Sequence, residues 1–125
     1  MHKGRCNCGG VMFTISAELA PPSLCHCGQC RRQSGHVWAS THIPDNGLTL
    51  TDRASLRWFE SSPGFRRGFC GVCGSFLFWK NEAEDEFSVA MGAIDAPTGQ
   101  HVARHIFVAD KGDYSDIADN LPRQA

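Results

Sequence analysis

Three things are missing from this chain, and each narrows what it can be. No stretch of its 125 residues is apolar for long enough to span a bilayer, and Met1 to Cys6 contains no apolar run of signal-peptide length. A cytosolic protein is therefore expected. A surplus of positive charge is missing as well: 12 Lys and Arg stand against 13 Asp and Glu, a net charge of -1. That balance removes the basic field that binds nucleic acid non-specifically or docks on acidic lipid, and leaves small molecules or proteins as partners. Helical periodicity is scarce too, its best candidate being a short turn near Ser115 to Leu121. With neither repeats nor low-complexity linkers, the chain fits one domain over residues 1–125, with a modest core that a metal staple would support.

What the chain has is thiol. Cys25-His26-Cys27-Gly28-Gln29-Cys30-Arg31-Arg32 packs three cysteines into six residues and follows them with two cations, and four more cysteines fall in two pairs, Cys6/Cys8 and Cys70/Cys73. A disulfide framework suits neither the reducing compartment nor the odd total of seven. Next-but-one cysteines such as Cys6/Cys8 and Cys25/Cys27 are also badly placed to bridge to each other. Thiolate ligands of a soft metal are the better account.

Between the thiols lie many short strands. Val11, Phe13 and Ile15 alternate with Met12, Thr14 and Ser16, which is the period of a strand with one buried face. Ala20-Pro21-Pro22-Ser23 breaks the chain before the central thiols, because proline lacks a donor and restricts the residue before it. Strands are further expected over His36 to Ser40, Leu48 to Thr51, Leu56 to Phe59, Phe65 to Phe69, Phe76 to Trp79, Glu86 to Gly92 and Arg104 to Val108. Turns separate them, Pro44-Asp45-Asn46-Gly47 with an Asn-Gly pair suited to positive φ, and Ser61-Ser62-Pro63-Gly64. The pattern predicts a mainly β single domain of short antiparallel strands.

Ligand counting divides the thiols. Cys70-Gly71-Val72-Cys73-Gly74 has knuckle spacing and holds two ligands; Cys6 and Cys8 can complete a closed four-thiolate site, which would contribute to folding. Cys25, Cys27 and Cys30 remain, and three ligands with an open fourth position is the pattern of a reactive zinc. Three thiolates give the ion a site charge of about -1, poor for activating water and suited to an incoming thiol, whose sulfur would stay nucleophilic toward an aldehyde carbon. The alternative is a second closed site completed by His26, His36 or another side chain. In an extended Cys-x-Cys segment His26 points away from the metal, as a supporting or packing residue. His36 could carry a proton or simply pack beside Val37 and Trp38. Arg31 and Arg32 could offset the anionic centre or hold a substrate carboxylate, one of them facing the site and the other solvated; Arg66 and Arg67 read as surface charge. Trp38, Trp58, Trp79, Phe65, Phe69, Phe76 and Phe78 read as mostly core, with one or two lining a cleft beside the metal.

Gly4-Arg5-Cys6-Asn7-Cys8-Gly9-Gly10-Val11, Cys25 to Arg32, and Phe69-Cys70-Gly71-Val72-Cys73-Gly74-Ser75 together resemble the glutathione-dependent formaldehyde-activating family, from Gly4 to about Asp119. The resemblance implies an Mss4-like, mainly β fold stapled by a structural zinc, with two zinc ions per chain. It implies that Cys6, Cys8, Cys70 and Cys73 form the structural site and Cys25, Cys27 and Cys30 the catalytic one. It also implies addition of the glutathione thiol to formaldehyde, a carbon-sulfur lyase reaction in reverse. Arg31, Arg32 and His36 are the candidate substrate-binding residues. A zinc-stabilised binding module without turnover is the rival, and the oligomeric state is not legible.

Overall fold

The structure is a computed structural model that describes residues 1–125. Two sheets carry the chain. Strands β1 (His2–Arg5), β2 (Met12–Ile15) and β5 (Leu48–Asp52) form a small antiparallel sheet in the order β1-β2-β5. The larger sheet holds β3 (Ser23–Cys25), β4 (Trp38–Pro44), β6 (Leu56–Ser62), β7 (Phe65–Cys70), β8 (Phe76–Asn81), β9 (Glu86–Ala90) and β10 (Arg104–Ile106). Its order is β10-β3-β4-β9-β8-β7-β6. All pairings are antiparallel except the edge pair β10 and β3, which run parallel. The expected mainly β fold is the one observed, and no helix is long and apolar enough to cross a membrane.

Alternation in the sequence becomes burial. Val11, Phe13 and Ile15 are buried to 1% exposure or less, whereas Met12 between them is 42% exposed. Their face meets Ile43, Leu77, Phe78 and Val89 from the larger sheet, with the Phe13 and Phe78 rings edge to face at 5.3 Å. Cys6 and Cys70 belong to the same apolar cluster, so the first thiol cluster sits against the main core. Lys80 is the core's buried cation, and Asp45 takes it with both carboxylate oxygens at 2.8 and 2.9 Å. A buried ammonium tolerates such a place only when paired and hydrogen-bonded, and the Glu86 carbonyl at 3.2 Å adds to the cage.

Local expectations change in five places. The chain's one α-helix is α1 (Gly28–Ser34), inside the central thiol stretch, whereas Ser115 to Leu121 is irregular chain. Asn46-Gly47 does not adopt positive φ; it lies in a 3-10 turn, Asp45–Gly47. Glycine is required there for closeness instead, since an added Cβ would sit 2.8 Å from the Ala17 Cβ. The strand expected over His36 to Ser40 begins at Trp38 and runs on to Pro44. Strands also form over His2–Arg5 and Ser23–Cys25, where sequence alone suggested none.

Candidate metal and substrate site

Cys6, Cys8, Cys70 and Cys73 come together from the two distant halves of the chain, their four sulfurs all within 4.8 Å of one another. The backbone turns aim N–H groups at the sulfurs: Val11 donates to Cys6 at 3.3 Å, Gly10 to Cys8 at 3.4 Å, and Val72 and Cys73 to Cys70 at 3.4 Å. Gly9 and Gly74, each directly after the second thiol of its pair, have φ of 82° and 81°, which closes each turn. Cys73 is pulled down to about 5, by the Ser75 side chain first and backbone N–H groups next. Cys70 is lowered as well, by the N–H groups of Cys73 and Val72 against the cost of burial. The Cys6 and Cys70 sulfurs both lie 3.6 Å from that of Cys8. A disulfide would need about 2.05 Å, whereas a tetrahedral ion with sulfur bonds of about 2.3 Å spaces its ligands about 3.8 Å apart. All seven cysteines are free thiols, and this donor set fits a soft divalent metal such as zinc.

Cys25, Cys27 and Cys30 form the second set, with three sulfurs within 4.8 Å. Cys25 ends β3 and Cys27 caps α1: its backbone is extended, at φ -63° and ψ 157°, and its sulfur accepts the Cys30 N–H at 3.3 Å. A tight first helical turn brings Cys30 under Cys27 and folds the Cys-x-x-Cys spacing into a cluster. Gly35 ends the helix in the left-handed region and donates its N–H to the Arg31 carbonyl. The Cys30 thiol is drawn down to about 6, by its hydrogen bond with Cys25 first and by Arg67 also, against burial. Cys25 is pushed up correspondingly by Cys30 and by its own burial.

All three thiols line a cavity of about 420 Å³. Trp79, Phe65 and Phe107 form part of its wall, and Trp38 divides it from a second cavity of about 520 Å³ that reaches Cys6. Trp38 stacks on Phe76 with ring centres 4.1 Å apart, which holds the partition in place. Phe107 follows β10 at the cavity rim with φ 54°, a conformation uncommon for a bulky side chain. The cation of the cavity is Arg67, 4% exposed, which donates from Nη1 to the Cys30 sulfur at 3.5 Å and to Gln33 Oε1 at 3.1 Å.

Behind the ligand segment runs a chain of hydrogen bonds. His26, 4% exposed, meets His105 Nδ1 through its Nε2 at 2.8 Å, and His105 Nε2 lies 2.9 Å from the Asp119 carboxylate. The carboxylate only accepts, so His105 carries a proton on Nε2, while its Nδ1 and the His26 Nε2 share one proton between them. Burial first and His105 second lower the His26 pKa, keeping the ring neutral, while the His105 bond first of all holds Asp119 below the usual carboxylate range. The tail beyond Asp110 clasps the edge strand: His105 N–H donates to the Pro122 carbonyl and Gln124 N–H to the His105 carbonyl, both at 2.9 Å.

Of the residues expected at the site, the seven cysteines gather as two sets, while Arg31, Arg32 and His36 lie outside the cavity wall. Arg31 donates from Nε to the Asp110 carbonyl at 3.1 Å, Arg32 is exposed, and the exposed His36 pairs its Nδ1 with the Tyr114 hydroxyl at 2.8 Å. For the two arginines the reason is α1: successive helical residues point about 100° apart, and Cys30 takes the inward direction. Arg67, read as surface charge, is the buried one instead. The signal was present in the period of two, since Arg66 and Arg67 on one strand must face opposite sides. Arg66 takes the outer face, pairing with Glu82 and lying over the Trp58 ring at 4.3 Å. His26 faces away from the sulfurs, as an extended Cys-x-Cys requires, although its partners His105 and Asp119 left no local mark in the sequence.

Known proteins supply an independent comparison. A family model described as glutathione-dependent formaldehyde-activating enzyme matches residues 1–110. Among solved structures, the chain is similar to a Rhodobacter sphaeroides protein at 20% identity, with a TM-score of 0.62 over 75% of this chain and 88% of that one. At this identity the likeness concerns the fold. No curated protein matches the chain.

Proposed function

The chain belongs to the glutathione-dependent formaldehyde-activating family, and from that premise we propose that it joins a thiol to a small aldehyde, glutathione and formaldehyde being the default pair. Residues 1–125 act as one cytosolic domain, consistent with seven unbridged thiols. Cys6, Cys8, Cys70 and Cys73 hold a structural zinc, and Cys25, Cys27 and Cys30 hold a second. Zinc in the second set would bind an incoming thiol as thiolate and keep it nucleophilic at neutral pH. The observation that carries this reading is an asymmetry: all of the three-thiol set lines a cavity, whereas the four-thiol set contributes only Cys6 to one.

In the forward direction the substrate thiol gives up its proton to solvent, its sulfur bonds to the carbonyl carbon, and the carbonyl π pair moves to oxygen, which takes a proton from water. The product is an S-hydroxyalkyl thioether. The reverse cleaves the carbon-sulfur bond, which is lyase chemistry. Trp38, Trp79 and Phe65 exclude water from the reacting atoms, Arg67 offsets the negative thiolates, and the Asp119–His105–His26 chain braces the backbone between Cys25 and Cys27. Native mass spectrometry with and without glutathione tests the assignment on the intact chain and on Cys27→Ser. The wild type is expected to carry two zinc ions and one glutathione, the variant one zinc and no glutathione. A variant that keeps both zinc ions and full thiol binding refutes the catalytic assignment, and a wild type that never takes up glutathione points to a binding module.

A further inference from the structure

We propose that the aldehyde substrate carries an aromatic or bulky aliphatic group and that Phe107 is the specificity-determining residue that covers this group at the cavity mouth. The inference rests on the thiol-addition reading above and replaces its one-carbon default with a substrate class.

Size and lining both point to such a group. A one-carbon aldehyde, about twice the volume of a water molecule, would fill roughly a seventh of a cavity of about 420 Å³. The serines of the cavity floor lie deep: Ser23, Ser40 and Ser88 are 1%, 5% and 3% exposed, and the half-buried His42 turns its Nδ1 to Ser88 Oγ at 3.2 Å. Aromatic rings are the more accessible part of the wall, with Phe65 and Trp79 half-buried and stacked at 5.7 Å and Phe107 51% exposed. Charge keeps the ends of glutathione out of this interior. The tripeptide ends in carboxylates on both sides, whereas Arg67 of the lining is 4% exposed and the exposed Asp110 repels carboxylates. The charged ends of a thiol held at Cys25, Cys27 and Cys30 therefore stay in water, and the apolar interior is left to the substituent of the aldehyde.

The backbone places Phe107 for that contact. Strand β10 pairs with β3 so that Ile106 stands beside Cys25, and the Ile106 carbonyl accepts the His26 N–H at 3.0 Å, which sets the next residue at the rim of the cavity that the thiols line. There Phe107 has φ 54°, and hydrogen bonds on both sides hold it: Asp110 N–H donates to the Phe107 carbonyl at 3.1 Å and Val108 N–H to the Gln124 carbonyl at 3.0 Å. A bulky residue stays in the left-handed region only where its surroundings hold it, and such outliers gather at ligand clamps. The ring belongs to neither apolar cluster of the core, whereas Trp38 stacks on Phe76 and Phe65 on Trp79. An apolar substituent entering the cavity supplies the missing partner, because it buries the exposed ring and makes an aromatic contact with it. The bond changes stay those of the parent reaction: sulfur bonds to the carbonyl carbon, the π pair moves to oxygen, and that oxygen takes a proton from water.

The test uses zinc-loaded wild type and Phe107→Gly with glutathione and formaldehyde, acetaldehyde or hydrocinnamaldehyde, rates being read above the uncatalysed background. Acetaldehyde and hydrocinnamaldehyde present the same aliphatic carbonyl, so their ratio reads the cavity rather than carbonyl reactivity. Wild type is expected to prefer hydrocinnamaldehyde in kcat/KM by about tenfold or more. Glycine suits the left-handed backbone and removes only the ring. The variant should therefore lose about tenfold on hydrocinnamaldehyde and stay within about threefold on acetaldehyde. Binding of the unreactive hydrocinnamyl alcohol, followed by tryptophan fluorescence, should weaken by a similar factor. Equal rates for the two aldehydes in wild type, or a preference for acetaldehyde, overturn the substrate class. A variant that keeps the wild-type preference and alcohol binding overturns the role of Phe107, and so does one that loses acetaldehyde turnover as well, which makes the residue structural. A wild type that turns over formaldehyde alone overturns the inference and leaves the thiol-addition reading standing, whereas one that turns over no aldehyde overturns both.

Discussion

The two thiol clusters are built by opposite means. Cys6, Cys8, Cys70 and Cys73 join distant parts of the chain through four sulfurs, and two of these residues belong to the main apolar cluster. Cys25, Cys27 and Cys30 come from one short stretch at the junction of β3 and α1, where Cys25 and Cys30 form the smaller apolar cluster with Trp38 and Ala90 and Cys27 packs against it. A cluster that joins remote segments stabilises the fold when it binds metal, because the unfolded chain cannot preform it. A local cluster contributes less to the fold, and its surroundings can serve chemistry instead. The neighbours reflect this: the first set is held by backbone N–H groups, the second also by a buried guanidinium beside a cavity.

The sharpest way to break this contrast is Cys70→Ser. A structural zinc site supplies on the order of 10 kcal/mol of metal-coupled folding free energy, more than a domain of this size has in reserve. The variant is expected to lose cooperative melting by circular dichroism and most of its soluble yield, whereas Cys27→Ser keeps a cooperative transition. Equal damage from both would make the two clusters equivalent.

A smaller effect is expected behind the second cluster. The Asp119 pKa is depressed in the fold by the His105 hydrogen bond first and the Leu121 N–H second, so its contribution is present above the unfolded carboxylate range and fades as pH falls through the folded value. Asp119→Asn should therefore lower the melting temperature by a few degrees at pH 6–7, with the gap from wild type closing in acid. Thermal melts across pH 3–7 measure it, and a pH-independent gap would remove the carboxylate from the chain that braces His26.

The smallest effect is expected at His36 and Arg32. Both sit near the second cluster in sequence yet lie outside its cavity wall, so His36→Ala and Arg32→Ala should keep kcat/KM within about threefold. A loss of tenfold or more for either would extend the site across α1 toward Tyr114.

How far the sequence carries depends on the range of each interaction. Alternation at Val11, Phe13 and Ile15 marked a buried strand face because a pleated strand repeats every two residues. The helix at Gly28 to Ser34 was hidden because its sequence, Gly-Gln-Cys-Arg-Arg-Gln-Ser, has only one buried residue, Cys30, and no apolar stripe. Asn46-Gly47 misled in a different way: the pair's usual turn chemistry gave way to the close approach of Ala17.

Sequence by itself determined which thiols group together, since a donor set is written in residue type and short spacing, and it determined most of the strands of the core. Tertiary structure alone decided the company those ligands keep. Arg31 and Arg32 are neighbours of Cys30 along the chain, but the helical rotation turns them away. Arg67 lies 37 positions further on and reaches the same sulfur because strand pairing brings β7 across the sheet. Likewise His26 finds His105 at a separation of 79 positions, through the parallel pairing of β10 with β3. A thiol's spacing is local, whereas the cation and the carboxylate that tune it arrive by long-range register, which no short stretch of sequence records.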